Sequence, residues 1–497
     1  MTETRRSIFL SSLDRFFAMF IKFATLMVTA RLLTPAELGV AVLGTAAYGI
    51  AGIVRDFGGN AYLVQIDDAT PERVQTVFTI LLVLTLPLSL LCIVLAQPLA
   101  DFYATPGLKD YMWVTSACFL LGPFSSPIFA LLRRRFAFGQ IAVINAATSI
   151  GYGLTTIVLA LAGYGYMSVA WAGLASAALN LALSFYWHPD FKIYRLSLHD
   201  WRRITEYGMS ESARNMLYYL GDNVPLLAFG KFLGPESVGL FQRAWALSSL
   251  PSTTLLAGAA QVMLPAFSKH ARDGQELKDS YLISVEYVTA LLWPSTLLII
   301  ILAQPIVLVL LGRQWVDAVP LVQIMSAAFL IWFPMYVTNP ILIAAGGIRD
   351  TLVLALITIP VTVTVQCVAG YFGLAMAALS YFITVPFYIC FSVLMVRRRV
   401  PFEWVALLAA LKRSAIVSFF SAIGPFVIVV LSGGPYAVSI AQGSLGCVTA
   451  FAGWLIGLRV AGHPMLREVQ KGSSLLLDYL PETVTITSWL QTAKQDR

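Results

Sequence analysis

Long apolar stretches, separated by short polar ones, run along almost the whole chain. About 20 consecutive apolar residues are enough to cross a bilayer as an α-helix, and stretches of this kind recur between residues 13 and 460. Pro, Gly and charged residues divide them into fourteen predicted spans, over residues 13–33, 36–64, 75–97, 110–132, 139–162, 165–187, 207–233, 236–265, 281–311, 317–344, 350–371, 373–396, 408–431 and 436–460. This pattern predicts an all-α polytopic membrane protein with a polar cytoplasmic tail over residues 461–497.

The same pattern of apolar and polar positions occurs twice. The segments PLSLLCIVLAQP (87–98) and PSTLLIIILAQP (294–305) are identical at eight of twelve positions. Two weaker matches join 30–40 to 230–240 and 162–164 to 369–371, so the spacings are 200, 207 and 207. Parallel repeats in a membrane protein indicate two related lobes with a cavity between them. We predict an N-lobe (residues 1–190, spans 1–6), a pseudo-symmetric C-lobe (191–400, spans 7–12) and two further spans (401–460).

The composition supports a membrane protein and excludes several kinds of chemistry. The chain is 58 % hydrophobic and 12 % charged, whereas soluble domains have about 25 % charged residues. The five cysteines lie singly in apolar stretches, so their spacing indicates neither a metal site nor a disulfide framework. No GxxxxGK[ST] segment occurs, which argues against ATP hydrolysis by this chain. We expect no cofactor, no metal and no nucleic-acid partner, and energy from an ion gradient or the membrane potential.

The distribution of Lys and Arg predicts the orientation in the membrane. With a cytoplasmic N-terminus, 24 of the 33 basic residues lie in cytoplasmic segments and 4 in outer ones. An excess of basic residues on the cytoplasmic side is general in membrane proteins. We therefore predict an even number of spans and both termini in the cytoplasm.

Five basic residues lie inside predicted spans, namely Arg15, Lys22, Arg55, Arg214 and Arg243. A charge at the bilayer centre costs about 2.5–3.5 kcal/mol and therefore usually faces protein or a water-filled cavity. Arg15 and Lys22 are seven residues apart and share one face of a helix. Arg214 occupies the equivalent turn in the second repeat. Since Arg and Lys bind phosphate oxygens, we predict that Arg15, Lys22 and Arg214 bind a diphosphate head group.

Each of these cations also has a purely structural interpretation. Lys22 and Asp222 are equivalent positions of the two repeats, and a buried ion pair between them would only fix the packing. Arg15 and Arg214 lie near predicted cytoplasmic ends, from which long side chains reach the lipid head groups.

The remaining charges in the spans receive weaker interpretations. Arg55 and Asp56 are neighbours on different faces of their helix, and we interpret one of them as a determinant of topology, with a role in substrate binding as the alternative. Arg243 lies a turn or two inside the outer end of its span and is interpreted as an interface anchor. The candidate carriers of a coupling proton or Na⁺ are Asp56, Asp222 and Glu211.

Two segments carry a resemblance to a known family. An Arg-Leu-Leu-x-Pro-x-x-x-Gly turn from Arg31 to Gly39 joins the first two spans, and an Asp-x-Gly-Gly segment follows at 56–59. The second half has the equivalent turn from Gly234 to Gly239 and a Leu-Pro-Ala-Phe-Ser segment at 264–268. Over about residues 10–400, the chain resembles the polysaccharide (Wzx-type) flippases of the multidrug/oligosaccharidyl-lipid/polysaccharide (MOP) exporter superfamily.

This resemblance implies a fold and a function. The implied fold has two six-helix lobes around a central cavity that opens alternately to either side of a bacterial inner membrane. The implied cargo is an undecaprenyl-diphosphate-linked oligosaccharide, flipped to the outer leaflet for O-antigen, capsule or exopolysaccharide synthesis, with no covalent catalysis. Implied partners are membrane lipids and the polysaccharide polymerase or export machinery. The family's cavity cations are carried over only to Arg15, Lys22 and Arg214.

Three other functions stay open. A peptidoglycan-precursor (lipid II) flippase and a drug/cation antiporter belong to the same superfamily, and the antiporter is expected to have an acidic, aromatic cavity. A membrane polysaccharide polymerase or ligase is expected to need a large outer loop bearing Arg and His. The pattern predicts only short outer loops, and the second loop, with Asp67, Asp68 and Glu72, departs from the family by being acidic.

Overall fold

The computed structural model describes residues 20–21, 23–56, 58–66 and 68–470, with 210–211 and 257–261 described as backbone only. It is 85 % helical, and the described ranges contain no strand. Two short 3₁₀ helices cover Phe191–Tyr194 and Arg313–Ala318. The α-helices are α1 Phe23–Leu32, α2 Pro35–Asp56, α3 Gly59–Gln65, α4 Pro71–Phe102, α5 Gly107–Arg134, α6 Phe138–Leu161, α7 Met167–Trp187, α8 Trp201–Leu233, α9 Pro235–Ser248, α10 Leu250–Leu255, α11 Ala257–Arg272, α12 Leu277–Ile301, α13 Ala303–Leu310, α14 Val319–Phe329, α15 Pro334–Ala344, α16 Ile348–Tyr371, α17 Leu374–Leu379, α18 Tyr381–Arg399, α19 Trp404–Leu431 and α20 Ile440–Val460.

The all-α membrane class is confirmed, whereas the number of spans stays a prediction. Eleven helical segments of the described ranges are long and apolar enough to cross a membrane. Each of the fourteen predicted spans nevertheless overlaps helix. Helix α8 is not among the eleven because charged residues occur along its length, and α9–α11 divide one predicted span into shorter pieces.

The repeat is visible in the helix ends, but its register changes along the chain. Helices α5 and α15 end 210 residues apart, and so do α6 and α16. Phe136 and Gly346, also 210 apart, follow α5 and α15 with positive φ angles of 54° and 73°. The sequence match of 162–164 with 369–371 is therefore out of register, because the first triplet follows α6 and the second lies inside α16.

The predicted N-lobe and C-lobe share the largest hydrophobic core at one end. We call the end that carries the arginines at 133–135 and 397–399 the basic end, and the end where α2 begins and α8 ends the opposite end. The largest core joins both lobes at the opposite end through Leu108, Phe119, Phe229, Phe241 and Trp315. Towards the basic end two smaller cores follow. One is built around Leu63, Val77 and Ile128 and includes Ile204 of α8, and the other is built around Tyr281, Val337 and Val396. The lobes are thus joined most extensively at the opposite end.

Two equivalent glycines allow this close approach of α2 and α9. A Cβ at Gly39 would lie 1.7 Å from the carbonyl oxygen of Pro235, and one at Gly239 would lie 2.0 Å from that of Pro35. Because the glycine four residues after each turn proline packs on the proline of the other turn, the contact repeats the 200-residue spacing of the sequence. Only glycine fits at these two positions without moving the lobes apart.

A pair of equivalent hydrogen bonds also joins the lobes at the opposite end. Arg31 donates from Nη2 to the carbonyl oxygen of Val309 (2.6 Å). Lys231, 200 residues later, donates from Nζ to the carbonyl oxygen of Phe102 (2.7 Å). Phe102 and Val309 are themselves 207 residues apart, which is the spacing of the strongest sequence match. Trp315 adds a third bond, from Nε1 to the carbonyl oxygen of Ala30 (2.6 Å).

The last two helices are attached to α12 of the C-lobe. Glu286 of α12 is 5 % exposed and accepts a hydrogen bond from Arg413 Nη1 of α19 (3.2 Å). Trp454 of α20 donates to the carbonyl oxygen of Ala290 (2.9 Å). The helices α19 and α20 therefore lie beside the C-lobe, away from the N-lobe cavities described next.

Candidate functional site

A large cavity of about 980 Å³ lies between the helices of the N-lobe and α8. Helices α2, α3, α5, α6 and α7 and the middle of α8 form its walls. Along α5 its lining extends from Tyr111 to Arg133, about 33 Å at a rise of roughly 1.5 Å per residue. The cavity thus follows α5 from near the opposite end to the basic end.

Arg55 lies in the wall of the large cavity, where α2 breaks. Helix α2 ends at Asp56, and Gly58, with φ of 72°, precedes α3, so Arg55 occupies the last turn. Its Nη2 atom is 2.7 Å from Asp56 Oδ1, and its guanidinium carbon is 4.5 Å from the centre of the Phe119 ring. A Cβ at Gly122 would lie 2.5 Å from Arg55 Nη1. The side chain is thus held against α5 by a carboxylate, a ring face and the space that a glycine leaves.

Arg243 of α9 lines a second, small cavity of about 450 Å³ between α1, α6 and α7. Its guanidinium carbon lies 5.9 Å from the centre of the Trp315 ring. The Nε atom is buried and has no hydrogen-bond partner among the described residues. A half-buried guanidinium that faces a cavity in this way can accept an anionic ligand.

The two cavities adjoin each other. Thr148, Tyr152, Val169 and Ser176 line both, so one wall separates the space in front of Arg55 from the space in front of Arg243. Arg55, which is paired with Asp56, and Arg243 thus line neighbouring cavities inside the bundle. Each guanidinium is a site for an anionic group of a ligand.

The structure describes only part of the predicted diphosphate site. Arg15 and Lys22 lie outside the described residues, so their part in the site stays a prediction. Arg214 is an exposed residue of α8. Its neighbours Ser212 and Asn215 line the large cavity, while Arg214 is not among the lining residues.

The predicted ion carriers occupy different surroundings. Asp56 lines the large cavity and is paired with Arg55. Asp222 is an exposed residue in the middle of α8. The side chain of Glu211 lies outside the described residues. No group of three or more His, Cys, Asp or Glu residues that could hold a metal ion occurs in the described part of the chain.

Sequence reasoning undervalued Arg55 and Arg243. The interpretation of Arg243 as an interface anchor is wrong, because the residue faces a cavity inside the bundle. A usable signal was present in the repeat: the positions 200 residues away from Arg55 and Arg243 are Leu255 and Leu43. A charge that only one repeat carries indicates a role that the shared scaffold does not need.

The fold is that of the MOP superfamily. A solved structure of the lipid II flippase MurJ in an inward closed conformation superposes with a TM-score of 0.73, at 13 % identity, over 91 % of this chain and 99 % of that one. An inward-facing multidrug resistance MATE family transporter of the MOP superfamily gives a TM-score of 0.60, at 15 % identity, over 80 % and 94 %. At these identities the likeness establishes the fold alone.

The chain belongs to the family described as "Polysaccharide biosynthesis protein", which matches residues 28–320. The succinoglycan biosynthesis transport protein ExoT of Rhizobium meliloti (strain 1021) is 24 % identical over 66 % of this chain and 66 % of its own length. The teichuronic acid biosynthesis protein TuaB of Bacillus subtilis (strain 168) is 22 % identical over 60 % and 62 %. The lipopolysaccharide biosynthesis protein WzxC of Escherichia coli (strain K12) is 22 % identical over 63 % and 64 %.

The chain spans just under two thirds of the length of these curated relatives. The name of ExoT describes a transport protein, and those of TuaB and WzxC describe biosynthesis proteins. The resemblance seen in the sequence is thereby confirmed as family membership.

Proposed function

We propose that this chain moves undecaprenyl-diphosphate-linked oligosaccharides from the cytoplasmic to the outer leaflet of a bacterial inner membrane. The observation that carries the proposal is the pair of arginines, Arg55 and Arg243, on adjoining cavities inside a bundle whose lobes share their largest core at the opposite end. The product would serve the synthesis of O-antigen, capsule or exopolysaccharide, as the names of the relatives suggest for those proteins.

Each of the two arginines matches the chemistry of a phosphate group. Each guanidinium presents a planar fork of N–H donors that binds phosphate oxygens in pairs. Arg243 Nε has no partner among the described residues, and Arg55 has only the carboxylate of Asp56 and a ring face beside it. A phosphate can displace Asp56 from Arg55, which would release that carboxylate to take up a proton or ion.

The large cavity and the contact between the lobes support alternating access. The cavity reaches the basic end at Arg133, and the contact of Gly39 with Pro235 closes the opposite end. Transport requires the lobes to separate at that contact and to approach each other at the basic end. We propose that an ion gradient or the membrane potential supplies the energy, with Asp56, Asp222 and Glu211 as candidate carriers.

Two related functions have less support. A lipid II flippase shares the fold, but the family and the named relatives belong to polysaccharide biosynthesis. A drug/cation antiporter would have to bind a cation beside Arg55 and Arg243, where like charges repel. The partners we propose are the lipid-linked oligosaccharide, membrane lipids and the polymerase or export machinery that takes up the product.

The experiment is to delete the chain in its own host and measure surface polysaccharide after complementation. Arg55→Ala and Arg243→Ala should each restore about tenfold less polysaccharide than the wild type, because each removes charge-assisted hydrogen bonds to phosphate. Leu255→Ala, at the position equivalent to Arg55, and Arg398→Ala, an exposed arginine of the basic end, should restore wild-type amounts. Full restoration by both cavity variants, or normal polysaccharide after the deletion, would contradict the proposal.

A further inference from the structure

The large cavity is polar but carries few charges. Of its 30 lining residues, 14 bear a hydroxyl or an amide and only Arg55, Asp56 and Arg133 are charged. Its volume of about 980 Å³ lies at the upper end of the roughly 300–1,000 Å³ found for ligand pockets. A site of this kind suits a large, neutral and strongly hydrogen-bonding group.

Five hydroxyl groups that line this cavity have already used their protons. A Ser or Thr hydroxyl has one donor and two acceptor lone pairs, and five of those that line the cavity donate to a carbonyl oxygen of a helix. The donors are Thr45 to Ala41 (2.7 Å), Thr115 to Tyr111 (3.0 Å), Ser125 to Gly122 (3.3 Å), Thr148 to Ile144 (2.8 Å) and Ser176 to Thr148 (3.2 Å). These groups therefore offer acceptors to whatever enters the cavity.

Asn60 adds a further acceptor to the same wall. Its Oδ1 atom is buried and has no hydrogen-bond partner among the described residues. A buried carbonyl oxygen without a partner costs about 1–3 kcal/mol, so a ligand that brings a donor to this atom is favoured. A phosphate, which carries only acceptors when ionised, cannot do so.

We infer that this wall is the binding site for the sugar part of the transported lipid, with Asn60, Ser125 and Ser126 among its specificity-determining residues. The inference rests on the proposed function and deepens it. Sugars bring many hydroxyl donors and no charge, which is what an acceptor-rich, nearly uncharged wall binds. The phosphates of the same ligand bind Arg55 and Arg243 instead. The sugar part and the phosphate part are therefore recognised by different kinds of side chain.

The C-lobe has large side chains where the N-lobe has this wall. At the 210-residue spacing of the helix ends, Gly122 corresponds to Trp332, Ser125 to Met335 and Ser126 to Tyr336. The Trp332 ring lies 6.2 Å from that of Tyr388, centre to centre, and stacks on it with an interplanar angle of 10°. The residues that open the cavity are therefore particular to the N-lobe.

The test measures the binding of two lipids to the purified full-length chain. One probe is undecaprenyl diphosphate, and the other is the same lipid carrying the oligosaccharides extracted from cells that encode this chain. Asn60→Leu removes the acceptor, and the double variant Ser125→Met with Ser126→Tyr installs the C-lobe residues. Leu255→Ala is the matched control, and thermal unfolding of each variant verifies that it is folded.

We expect both wall variants to bind the glycosylated lipid about tenfold more weakly than the wild type, with binding of the bare lipid changed by less than about twofold. Arg55→Ala should weaken the binding of both lipids. The inference is overturned if folded wall variants keep wild-type affinity for the glycosylated lipid, or lose both lipids equally. It also fails, while the proposed function survives, if the wild type binds both lipids with equal affinity. Absence of binding of either lipid to the wild type contradicts the proposed function itself.

Discussion

The two lobes are built on one repeated pattern of helices, and they differ most in what fills them. In the N-lobe, Gly122 leaves space for Arg55 at the wall of a large cavity. In the C-lobe, Trp332 occupies the equivalent position and stacks on Tyr388. A few exchanges between small and large side chains thus leave a large cavity beside α5, whereas the equivalent positions of the C-lobe are filled by packed aromatic rings.

The contact between the lobes, in contrast, has stayed the same in both repeats. Gly39 and Gly239 approach the same backbone atom of each other's turn, and Arg31 and Lys231 donate to equivalent carbonyl oxygens. Under the proposed function, the symmetric part opens and closes and the asymmetric part recognises the ligand.

The largest loss of stability should come from removing an aromatic side chain that fills the C-lobe. Trp332→Ala removes a ring that contacts Phe329, Tyr381 and Tyr388, and we expect it to lower the free energy of unfolding by about 3 kcal/mol. Trp171→Ala, at a residue 41 % exposed on α7, should cost much less. Thermal unfolding of the two purified variants makes the comparison. Equal unfolding temperatures would show that the aromatic packing of the C-lobe does not stabilise it.

Substitutions at the contact between the lobes should give the next largest loss of stability. Gly39→Ala and Gly239→Ala each place a Cβ within 2.0 Å of a backbone oxygen, so each should destabilise the closed opposite end by about 2 kcal/mol. Because the positions are equivalent, the two variants should behave alike. Gly139→Ala, which meets no atom within 4 Å, is the control.

The unfolding temperature measures the loss of stability. The labelling of single cysteines introduced at the opposite end measures how far that end opens. A Gly39 or Gly239 variant with the stability and labelling of the Gly139 variant would contradict the assignment of this contact as the closed end.

The smallest effects should come from the two equivalent hydrogen bonds. Arg31→Ala and Lys231→Ala each remove one exposed bond to a carbonyl oxygen, which should cost about 1 kcal/mol. The two bonds share no atoms, so the double variant should lose the sum of the two. Labelling at the opposite end measures the loss. If one single variant has the full effect of the double variant, the two hydrogen bonds do not contribute equally to keeping the opposite end closed.

Hydropathy and internal repetition were sufficient to predict the fold class, because both can be read from a single sequence without knowledge of which helices are in contact. The match around Pro35 and Pro235 even located the turns that meet in the structure, although nothing in the sequence showed that they touch. The register between the two repeats was harder to predict from the sequence. The match of 162–164 with 369–371 placed the repeat three residues from where the helix ends place it, since small residues recur by chance in membrane helices.

The site was harder to predict than the fold. The depth of Arg55 and Arg243 follows from hydropathy, but the direction of each side chain depends on packing against α5 and α6. The salt bridge of Arg55 with Asp56 joins neighbours that were expected on different faces, because α2 ends at that point. The large cavity follows from small residues on several helices at once, and a single sequence does not show which helices are neighbours.

The most direct test of the central claim is site-specific photo-crosslinking to a radiolabelled lipid-linked oligosaccharide in intact membranes. A photoreactive amino acid replaces either Ser125 in the N-lobe wall or Met335 at the equivalent C-lobe position. The account predicts that the label attaches from Ser125 and that excess unlabelled glycolipid abolishes the attachment, while Met335 gives none above background. Attachment from Met335, or from neither position in a variant that still restores surface polysaccharide, would contradict the claim that the N-lobe cavity holds the transported sugar.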